Sequence, residues 1–600
     1  MLSDRGNIVK KVLLSIALLL GVNLLTNYRF FYRFFYRGPQ LSYTGNDCRT
    51  DEHFWQIENI NEEVNVIELT YTDQPYYLSV SYTSDEFANY EHFNPSWETD
   101  KTQKDYMFIY AAMNMPVKNL LIFAGNGSLD QIILNPRIPY HLNGTKTVLY
   151  WLILMGIWFI FSDGRTLVND RKQLARSALA VVFLTGMSWN LARDYSDQEG
   201  MDDLYARYYT DALISGSLEL DYPTDAAEIS NDPYDTSDRS EDILWDATYY
   251  NGKYYAYFGV LPAAVLMVPY KLATGNYLSS AYGMLVYLFG CFAAGLLLFR
   301  EIVRKYFPQI SFRMFMLSYL YIVFGSKLIW SANRPLFYEM LVCAAFFHVM
   351  LGLYLVQFGK SRVHHTVGYL SLALTALCRP TFLLASVLIV PGLIRKLKEK
   401  RFGIADFLCL MIPYGVIGLL TMYLNYVRFG SVLEFGISYQ LTANSMLYSR
   451  FSLLKALTGS FMYLFDGFTV KLLPFTVAGQ TEAFPLVSDF FMETAGGGFV
   501  PVSVIGILIP VLMKHVKNRE LKMYLYLCLG LALAQLIIST GVGSLVGRYM
   551  ADFNYLLYFA VTAEFLYIMH QEQHPVIADI YVCAVSASIF LNYFLALSNI

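Results

Sequence analysis

The sequence is poor in charged residues. Asp, Glu, Lys and Arg make up 15% of the 600 residues, whereas a soluble domain carries about 25%. Cations are not in excess either, since 44 Lys and Arg stand against 48 Asp and Glu. These shortages exclude a soluble globular enzyme and a disordered chain. Without a basic surface for phosphates, the composition also argues against a nucleic-acid binder.

Cysteine is sparse, and several nucleotide-binding and metal-binding motifs are absent. The seven Cys residues stand singly, with no CxxC pair and no Cys/His spacing typical of zinc. Most lie in apolar runs, where Cys acts as a small hydrophobic residue, so disulfides do not organise the predicted fold. There is no P-loop, no GxGxxG after a strand and no HExxH.

Apolar residues dominate what is present. Hydrophobic residues make up 55% of the chain and aromatic residues 16%, with 48 Tyr and 43 Phe, and the mean hydropathy is +0.38. Tyr suits the interface between water and lipid, where the ring is buried and the hydroxyl stays hydrated. The composition predicts an all-α polytopic membrane protein.

The N-terminal segment has the pattern of a membrane anchor. Arg5, Lys10 and Lys11 precede an apolar run from Val12 to Leu25, and no small-residue cleavage site follows. This pattern is typical of a retained signal anchor whose basic end stays in the cytoplasm. We therefore predict a signal-anchor helix over residues 1–27 and a cytoplasmic N-terminus.

A polar segment of different character follows, from Gly38 to Asn143. Apolar and polar residues alternate in Val64–Tyr71 and in Tyr76–Tyr82, and a period of two is typical of strands. We predict an extracytoplasmic β-sandwich-like domain over residues 28–146, inserted between the first two helices. The domain either caps the membrane part or binds carbohydrate, and the sequence leaves both interpretations open.

From residue 147 onward the chain is mostly apolar. A helix that crosses a bilayer needs about 20 apolar residues. Counting the signal anchor, we predict about 13 transmembrane helices, so that residues 147–600 form a multi-helix membrane domain. The further spans are expected near residues 147–162, 177–192, 279–299, 314–331, 336–357, 365–378, 381–394, 404–425, 499–513, 522–542, 553–570 and 576–597.

The distribution of basic residues supports this arrangement. Basic clusters around Arg165, Arg300, Lys360, Arg395 and Lys514 all fall on turns of one side when the N-terminus is cytoplasmic. The positive-inside rule requires this pattern of cytoplasmic turns.

The longest external loops are then residues 193–278 and 426–498. Two apolar stretches within them, Gly259–Thr274 and Val470–Thr476, do not fit as spans. We predict that both are interfacial helices that lie on the membrane.

Ionisable groups gather in the external segments. Asp202 and Asp203 follow a predicted span and precede the amphipathic run Tyr205–Leu213. Partial burial beside a helix can tune the pKa of a carboxylate for general-base work. An acidic loop is equally often a solvated surface, so both interpretations stay open from composition.

Arg379 and Arg548 stand at external helix junctions. An Arg at such a place either extends to lipid headgroups or holds a phosphate by bidentate hydrogen bonds. Asp552 lies four residues after Arg548, which puts both on one face of a helix. The spacing predicts either a structural ion pair or an Arg that its carboxylate holds in a fixed orientation.

These polar groups all belong to the outer face, where nucleotide sugars are absent. The predicted cytoplasmic loops are short, so no nucleotide-binding domain is expected. An enzyme with its polar groups on this face needs an activated donor that is carried by a lipid.

An acidic first external loop with Asp202 and Asp203, followed in order by five segments, resembles the GT-C superfamily of membrane glycosyltransferases, which use polyprenyl-phosphate sugars. The resemblance covers about residues 177–570 and points to an uncharacterised bacterial branch related to protein O-mannosyltransferases and aminoarabinose transferases. Their joint occurrence is typical of the superfamily, whereas no single segment is. The segments are Tyr208–Gly216, Leu244–Gly259, Arg379–Phe382, Asn425–Ser431 and Arg548–Phe553.

The resemblance implies an inverting transfer of a sugar from a polyprenyl-phosphate donor to an extracytoplasmic cell-envelope glycan, lipid or protein. Asp203 or Asp202 would be the base, with Asp203 preferred because it is nearer to the following helix. The cations that would stabilise the leaving phosphate are Arg379, Arg548, Lys253 and Arg428. The substrate pocket would include Trp245, Asp246, Tyr254, Tyr255, Glu434, Tyr549 and Asp552.

The predicted partners are the lipid-linked sugar, its acceptor and membrane lipid, with nucleic acid excluded. No cluster of metal ligands is evident in the sequence. No cofactor is therefore predicted, and dependence on a divalent metal stays open.

Two other classes of protein remain as alternatives. A lipid-linked-saccharide transporter or flippase needs ionisable residues near the centres of its spans. A non-catalytic envelope-assembly protein would bind through the β-rich domain. The predicted spans are largely uncharged and the charge lies at their outer ends, which favours the enzyme.

Overall fold

The computed structural model describes two compact units, Met1–Met155 and Gly156–Ile600. The described residues are 15–21, 23, 24, 27, 30, 38–51, 53–73, 77–84, 91–93, 97–99, 106–110, 116–125, 128–137, 144–168, 170–192, 201–222, 232–235, 243–257, 259–442, 446, 447, 450–472, 475–479, 491, 492, 496–541, 544–572 and 575–597. Most of the predicted signal anchor lies outside them, although residues 15–21 are helical.

The first unit contains two antiparallel sheets. One has the strand order β1-β11-β5-β9-β8 and the other the order β2-β3-β10-β6-β7, with β4 beside β10. A short helix α1 (Gly45–Cys48) follows β1. The strands are β1 (Leu41–Thr44), β2 (Arg49–Asp51), β3 (Phe54–Ile57), β4 (Glu62–Glu63), β5 (Val66–Asp73), β6 (Tyr77–Ser84), β7 (Glu91–Phe93), β8 (Trp97–Thr99), β9 (Tyr106–Tyr110), β10 (Pro116–Gly125) and β11 (Ser128–Leu134).

Alternation of side chains gives this unit a core of its own. In β10 the buried positions include Leu120, Ile122 and Ala124, every second residue. Residues two apart on a strand point to the same face, so each sheet presents one apolar face. Trp55 of β3 and Ile132 of β11 join the same buried cluster, and the two sheets therefore share one core.

The second unit is mainly helical. Its helices are α2 (Gly144–Phe161, which begins in the first unit), α3 (Arg171–Ala192), α4 (Met201–Ile214), α5 (Val260–Thr274), α6 (Ser280–Tyr306), α7 (Phe312–Gly325), α8 (Leu328–Ser331), α9 (Phe337–Phe358), α10 (Arg362–Leu374), α11 (Pro380–Lys398), α12 (Ile404–Phe429), α13 (Leu453–Phe465), α14 (Phe499–Ser503), α15 (Gly506–His515), α16 (Arg519–Thr540), α17 (Met550–Glu572) and α18 (Pro575–Leu597). Its strands are β12 (Glu219–Leu220), β13 (Thr248–Tyr250), β14 (Lys253–Tyr255), β15 (Phe468–Leu472), β16 (Phe475–Gly479), β17 (Phe491–Met492) and β18 (Ser544–Leu545).

Seven helices in the described part of the chain have the length and apolar composition that a membrane crossing requires. They are α3, α6, α9, α11, α12, α16 and α18. With the composition, they identify a membrane protein. The predicted total of thirteen spans is not reached by these criteria, because several predicted spans are shorter or interrupted helices.

The predicted span 499–513 shows why hydropathy overestimates helix length. The segment is α14 followed by α15, and Val504 between them has a φ of 63°. A β-branched residue at positive φ cannot continue a right-handed helix. Conversely, the apolar helix α13 was not predicted as a span.

The predicted interfacial helix at Val470–Thr476 is wrong. The described residues of the segment belong to β15 and β16, which pair antiparallel from Phe468 opposite Gly479 to Leu472 opposite Phe475. Thr, Val and Phe dominate both strands, and these residues favour extended backbone. The other predicted interfacial stretch does contain a helix, α5.

Polar helix ends meet at one end of the helical unit, which we call the site end. The start of α9, the start of α11 and the start of α17 meet there, as the contacts of Arg379 and Arg548 with acids on α17 and α9 show. At the opposite end, Lys305 of α6 and Arg395 of α11 both contact Glu520 of α16. Four of the sequence-predicted site residues lie at the site end, namely Arg379, Arg548, Tyr549 and Asp552.

Candidate functional site

Arg379 lies at the junction between α10 and α11. Pro380 begins α11, and a residue before proline is restricted to extended backbone, as its φ of −147° shows. Its Nε and Nη2 donate hydrogen bonds to Oδ2 of Asp552, at 3.1 and 3.0 Å. The Thr381 hydroxyl donates to the same oxygen at 3.1 Å. This buried pair therefore links the first turns of α11 and α17.

Arg548 lies in a short 3-10 turn just before α17 and pairs with an acid from another helix. Its Nη1 is 3.5 Å from Oε1 of Glu339, in the first turn of α9. The sequence predicted that Arg548 and Asp552 would share a helix face. The structure instead gives Asp552 the hydrogen bonds of Arg379, because Arg548 precedes the α-helix and does not follow its spacing.

The ring of Tyr549 lies against both guanidinium groups. The Cζ atom of Arg379 is 4.8 Å from the ring centroid and that of Arg548 is 5.7 Å from it. A cation within about 6 Å of an aromatic ring face is attracted to it. Arg379, Arg548, Tyr549, Glu339 and Asp552 form the arginine cluster. It brings together four of the sequence-predicted site residues and adds Glu339.

Aromatic rings connect the arginine cluster to α4. Tyr338 lies between Arg548, at 5.7 Å, and Tyr205 of α4, at 5.8 Å between ring centroids. Tyr257 packs on Tyr338 at 5.6 Å. Burial raises the pKa of the Tyr205 and Tyr257 hydroxyls above the ordinary value, so both stay protonated at neutral pH. The Tyr338 hydroxyl donates to the backbone oxygen of Asp246 at 2.7 Å.

Asp202 and Asp203 lie in the first turn of α4. Tyr205 and Tyr209 are buried and pack against Phe337 at the start of α9, with ring centroids 5.3 and 6.1 Å away. Residues three and seven positions apart on a helix share a face, and Asp202 has this relation to both tyrosines. The backbone phase therefore places position 202 on the face of α4 that meets α9.

Position 203 lies about 100° further round α4, three and seven residues before the buried Ala206 and Thr210. It lies four residues before Arg207, whose Cζ atom is 5.5 Å from the centroid of the exposed ring of Tyr277. Positions 202 and 203 both carry Asp, but they lie on different faces of α4.

A cleft of about 420 Å³ opens beside Tyr209 and Tyr257. Arg428 lines it, but its donors bind protein groups: Nη1 donates to the backbone oxygens of Ala256 and Tyr257, and Nη2 to Oδ1 of Asn425 at 2.8 Å. These bonds connect the end of α12 to the chain after β14. The contacts indicate that Arg428 positions the wall of the cleft.

Lys253 is placed differently from the two arginines of the cluster. It lies on β14, and its ammonium pairs with Glu219 of β12 at 2.5 Å with about half of each side chain exposed. That Lys253 binds the donor phosphate stays a prediction, because this exposed pair with Glu219 is not part of the arginine cluster.

The other predicted pocket residues surround the small sheet β12-β14-β13 and the loop after α12. Trp245 is exposed. Tyr254 is buried against Tyr249, 5.0 Å between centroids, whereas Tyr255 faces Phe429 at 5.8 Å. Oε1 of Glu434 accepts a hydrogen bond from a backbone amide two residues on. Their contacts are those of a wall rather than of reacting groups.

Sequence reasoning missed Glu339, Tyr338, Thr381 and Tyr257. Glu339 could have been found from the sequence, because an acid inside the apolar run 336–357 is rare. An ionisable residue in a membrane helix is a functional candidate by default. The other three have no such signal, since Tyr and Thr are common at helix ends.

Metal ligands do not cluster within the described residues. No group of three or more His, Cys, Asp or Glu side chains there could hold an ion. The side chains of Asp202 and Asp203 are not among those described.

The similarity of the chain to known proteins is distant. No protein-family model and no curated protein matches the chain. Among solved structures, the chain is similar to the cryo-EM structure of the arabinosyltransferase EmbB from Mycobacterium smegmatis, with 11% identity and a TM-score of 0.34. The match covers 93% of this chain and 53% of EmbB, so the chain spans about half the length of that protein.

Proposed function

We propose that the protein is an integral-membrane inverting glycosyltransferase of the GT-C type. It transfers a sugar from a polyprenyl-phosphate donor to an extracytoplasmic cell-envelope glycan, lipid or protein. The arginine cluster is the observation that carries the proposal. Two guanidinium groups lie on one tyrosine ring, at the helix ends that also meet α4 with its paired acids.

The arginine cluster has the groups needed to bind the lipid phosphate that is the leaving group of the proposed reaction. Guanidinium groups bind phosphate oxygens through paired, charge-assisted hydrogen bonds. Asp552 engages Nε and Nη2 of Arg379, so Nη1 is outside this pair. Each arginine is held in place by a carboxylate before substrate arrives, and such preorganised charges stabilise the charge that develops on a leaving group.

We assign the base to Asp202 and keep Asp203 as the second candidate. The base takes the proton of the acceptor hydroxyl, the oxygen forms a bond to the anomeric carbon, and the bond from that carbon to the phosphate oxygen breaks. The phosphate keeps the electron pair and the sugar inverts its configuration. Asp202 is favoured because its helix position shares the face of Tyr205 and Tyr209, which pack toward the arginine cluster.

Substitution of the acids tests this assignment. Asp202→Asn and Asp203→Asn are compared in membranes by the transfer of labelled sugar, after glycan analysis of a deletion strain has identified the sugar. We expect Asp202→Asn to lower the rate by about 10²–10⁴-fold, the usual contribution of a general base. Asp203→Asn should stay within about tenfold of the wild type.

Asp211→Asn is the matched control on the same helix. Its carboxylate accepts a hydrogen bond from the Tyr277 hydroxyl at 2.6 Å, on the other side of α4. It should leave transfer near the wild-type rate. If both single variants and the double variant at positions 202 and 203 keep full activity, the general base does not lie on α4.

Substitution of the arginines tests the phosphate site separately. Arg379→Lys and Arg548→Lys keep the charge but lose the fork of donors, and each should lower transfer by about 10²-fold, as for loss of one oxyanion donor. Arg300→Lys is the control, because Arg300 lies in the last turns of α6 and donates to the Val168 backbone oxygen. Lys253→Gln should have little effect.

A transporter of lipid-linked saccharides is the second candidate, and buried charge favours it. Glu564 of α17 is buried, and within the described residues neither carboxylate oxygen forms a hydrogen bond. Lys327 is buried and donates to the backbone oxygen of Gly496 at 2.7 Å and to Asn592 at 3.2 Å. Ionisable groups inside a membrane bundle are typical of transport pathways.

Reconstituted vesicles separate the two candidates. A transporter moves a fluorescent polyprenyl-phosphate sugar across the bilayer without an acceptor, and Glu564→Gln stops the movement. A glycosyltransferase leaves the donor where it is until acceptor is added and then forms product, with or without the Glu564 carboxylate.

A further inference from the structure

A second cavity lies inside the helical unit, among α6, α7, α9, α11, α16 and α17. The space enclosed between its walls, including the part open to the surroundings, is about 950 Å³. Leu298, Ile322, Met350 and Leu353 are typical of its walls. A cavity with apolar walls does not hold ordered water and takes up apolar molecules instead.

Aromatic rings separate this cavity from the arginine cluster. Phe346 and Tyr555 line the cavity, and their rings meet at 5.0 Å in an edge-to-face contact. Phe382, three residues after Arg379, lies 6.4 Å from Phe346. These rings stand between the apolar space and the buried Arg379–Asp552 pair.

The opposite end of the cavity adjoins a surplus of positive charge. Tyr306 and Tyr524 line the cavity there. Next to them, Lys305 and Arg395 both contact one oxygen of Glu520, each at 2.9 Å. Two cations share one carboxylate, so the group carries a net charge of +1, and its side chains are 29–46% exposed.

We propose that this cavity binds one hydrocarbon chain of an anionic lipid, with the lipid phosphate on Lys305 and Arg395. The apolar walls select the chain, and two cations that share one carboxylate keep a net positive charge that attracts an anion. Basic pockets between membrane helices bind lipid headgroups by this charge complementarity. The site is distinct from the proposed sugar-transfer site, because its charged end is the end remote from the arginine cluster.

Gly295 of α6 gives a direct way to fill the cavity. A Cβ atom there would meet Met350 and Tyr319, both lining residues, at 3.9–4.0 Å. This is ordinary contact, so Gly295→Phe would extend its ring into the cavity. Gly530 of α16 is the matched control, since a Cβ there meets nothing within 4 Å and the residue does not line the cavity.

The first experiment measures binding of radiolabelled hexadecyl phosphate to the delipidated full-length protein in detergent. We expect one equivalent to bind to the wild type and to Gly530→Phe, and affinity to fall at least tenfold in Gly295→Phe. Equal affinity of Gly295→Phe and the wild type would place the chain elsewhere and overturn the proposal.

The second experiment tests the headgroup. The Lys305→Gln/Arg395→Gln double variant should bind hexadecyl phosphate as weakly as neutral hexadecanol, while its affinity for hexadecanol stays that of the wild type. Lys400→Gln/Arg401→Gln, which neutralises two exposed cations near the end of α11, is the control and should bind like the wild type. An unchanged affinity of the first double variant for hexadecyl phosphate would overturn the proposal.

A third measurement excludes the tail of the sugar donor as the occupant. Binding of undecaprenyl phosphate should weaken in Arg379→Lys and stay unchanged in Gly295→Phe. If Gly295→Phe instead loses undecaprenyl phosphate together with hexadecyl phosphate, the cavity belongs to the donor site and the separate lipid site is wrong.

Discussion

Asp163 lies in the turn between α2 and α3 and accepts hydrogen bonds from three side chains. Oδ2 receives Nη2 of Arg165 at 2.8 Å, Nη1 of Arg176 at 3.1 Å and Nε2 of Gln173 at 3.3 Å. The Asp163 side chain is buried, with 4% of its area exposed. This single carboxylate therefore stabilises the turn between α2 and α3.

We expect Asp163→Asn to destabilise the protein. A hydrogen bond to a charged group contributes about 1.5–3 kcal/mol, and the buried Arg176 would lose its charged partner. Thermal unfolding in detergent measures the effect. Asp170→Asn is the comparison, and it should destabilise less because Asp170 is more exposed. A larger drop in melting temperature for Asp170→Asn than for Asp163→Asn would contradict the prediction.

The same carboxylate predicts a pH dependence. Its hydrogen bonds with Arg165 hold the pKa of Asp163 well below the ordinary value. A group with a lowered folded-state pKa adds stability above its unfolded value of about 3.9, and this stability is lost as the pH falls through the folded-state pKa. The difference in melting temperature between wild type and Asp163→Asn should therefore shrink below about pH 4. A constant difference down to pH 3 would argue against it.

The Arg379–Asp552 pair combines a structural and a proposed chemical role, and substitutions can separate them. Removing one partner of a buried ion pair costs about 3–5 kcal/mol, whereas apolar replacement of both is often tolerated. Asp552→Asn should therefore unfold at a lower temperature than the double variant Arg379→Met/Asp552→Leu. Both should lack sugar transfer, and activity in the double variant would exclude Arg379 from the phosphate site.

Gly325, in the last turn of α7, shows how closely two helices pack. A Cβ at this position would meet ring atoms of Tyr558 on α17 at 2.2–2.4 Å. Gly325→Ala should destabilise by about 1–3 kcal/mol, the cost of overpacking. Gly530→Ala, in open space on α16, should be neutral or stabilising because Ala favours helix. Chemical unfolding of both variants measures the contrast, and equal effects would contradict this packing.

The elements differ in how much the sequence predicts of them. Strand β5 follows the predicted alternation of Val64–Tyr71 within two residues, because a period of two depends only on local side chains. The break at Val504 and the 3-10 start of α11 leave no trace in hydropathy. Arg379, Arg548, Tyr549 and Asp552 stood out as polar residues at helix ends, but their pairing depends on which helix ends meet, and local sequence does not contain that information.

At the scale of the whole molecule, the division into two compact units leads to a further prediction. The two sheets of the first unit share a closed core around Trp55 and Ile132, which needs no helix from the second unit. A fragment of residues 38–137 should therefore fold alone and lose its β-type circular dichroism in one cooperative thermal transition. A fragment that melts without a transition would show that the second unit completes the core.

Tyr549, with one guanidinium at 4.8 Å and another at 5.7 Å, has a consequence for turnover. On the proposed chemistry the donor is a phosphodiester with one negative charge, whereas the released lipid is a phosphate monoester, whose charge near pH 7 is about −1.5 to −2. Two guanidinium groups attract the monoester more strongly. The lipid product should therefore inhibit at concentrations below the KM of the donor, and its departure rather than bond breaking would limit the rate.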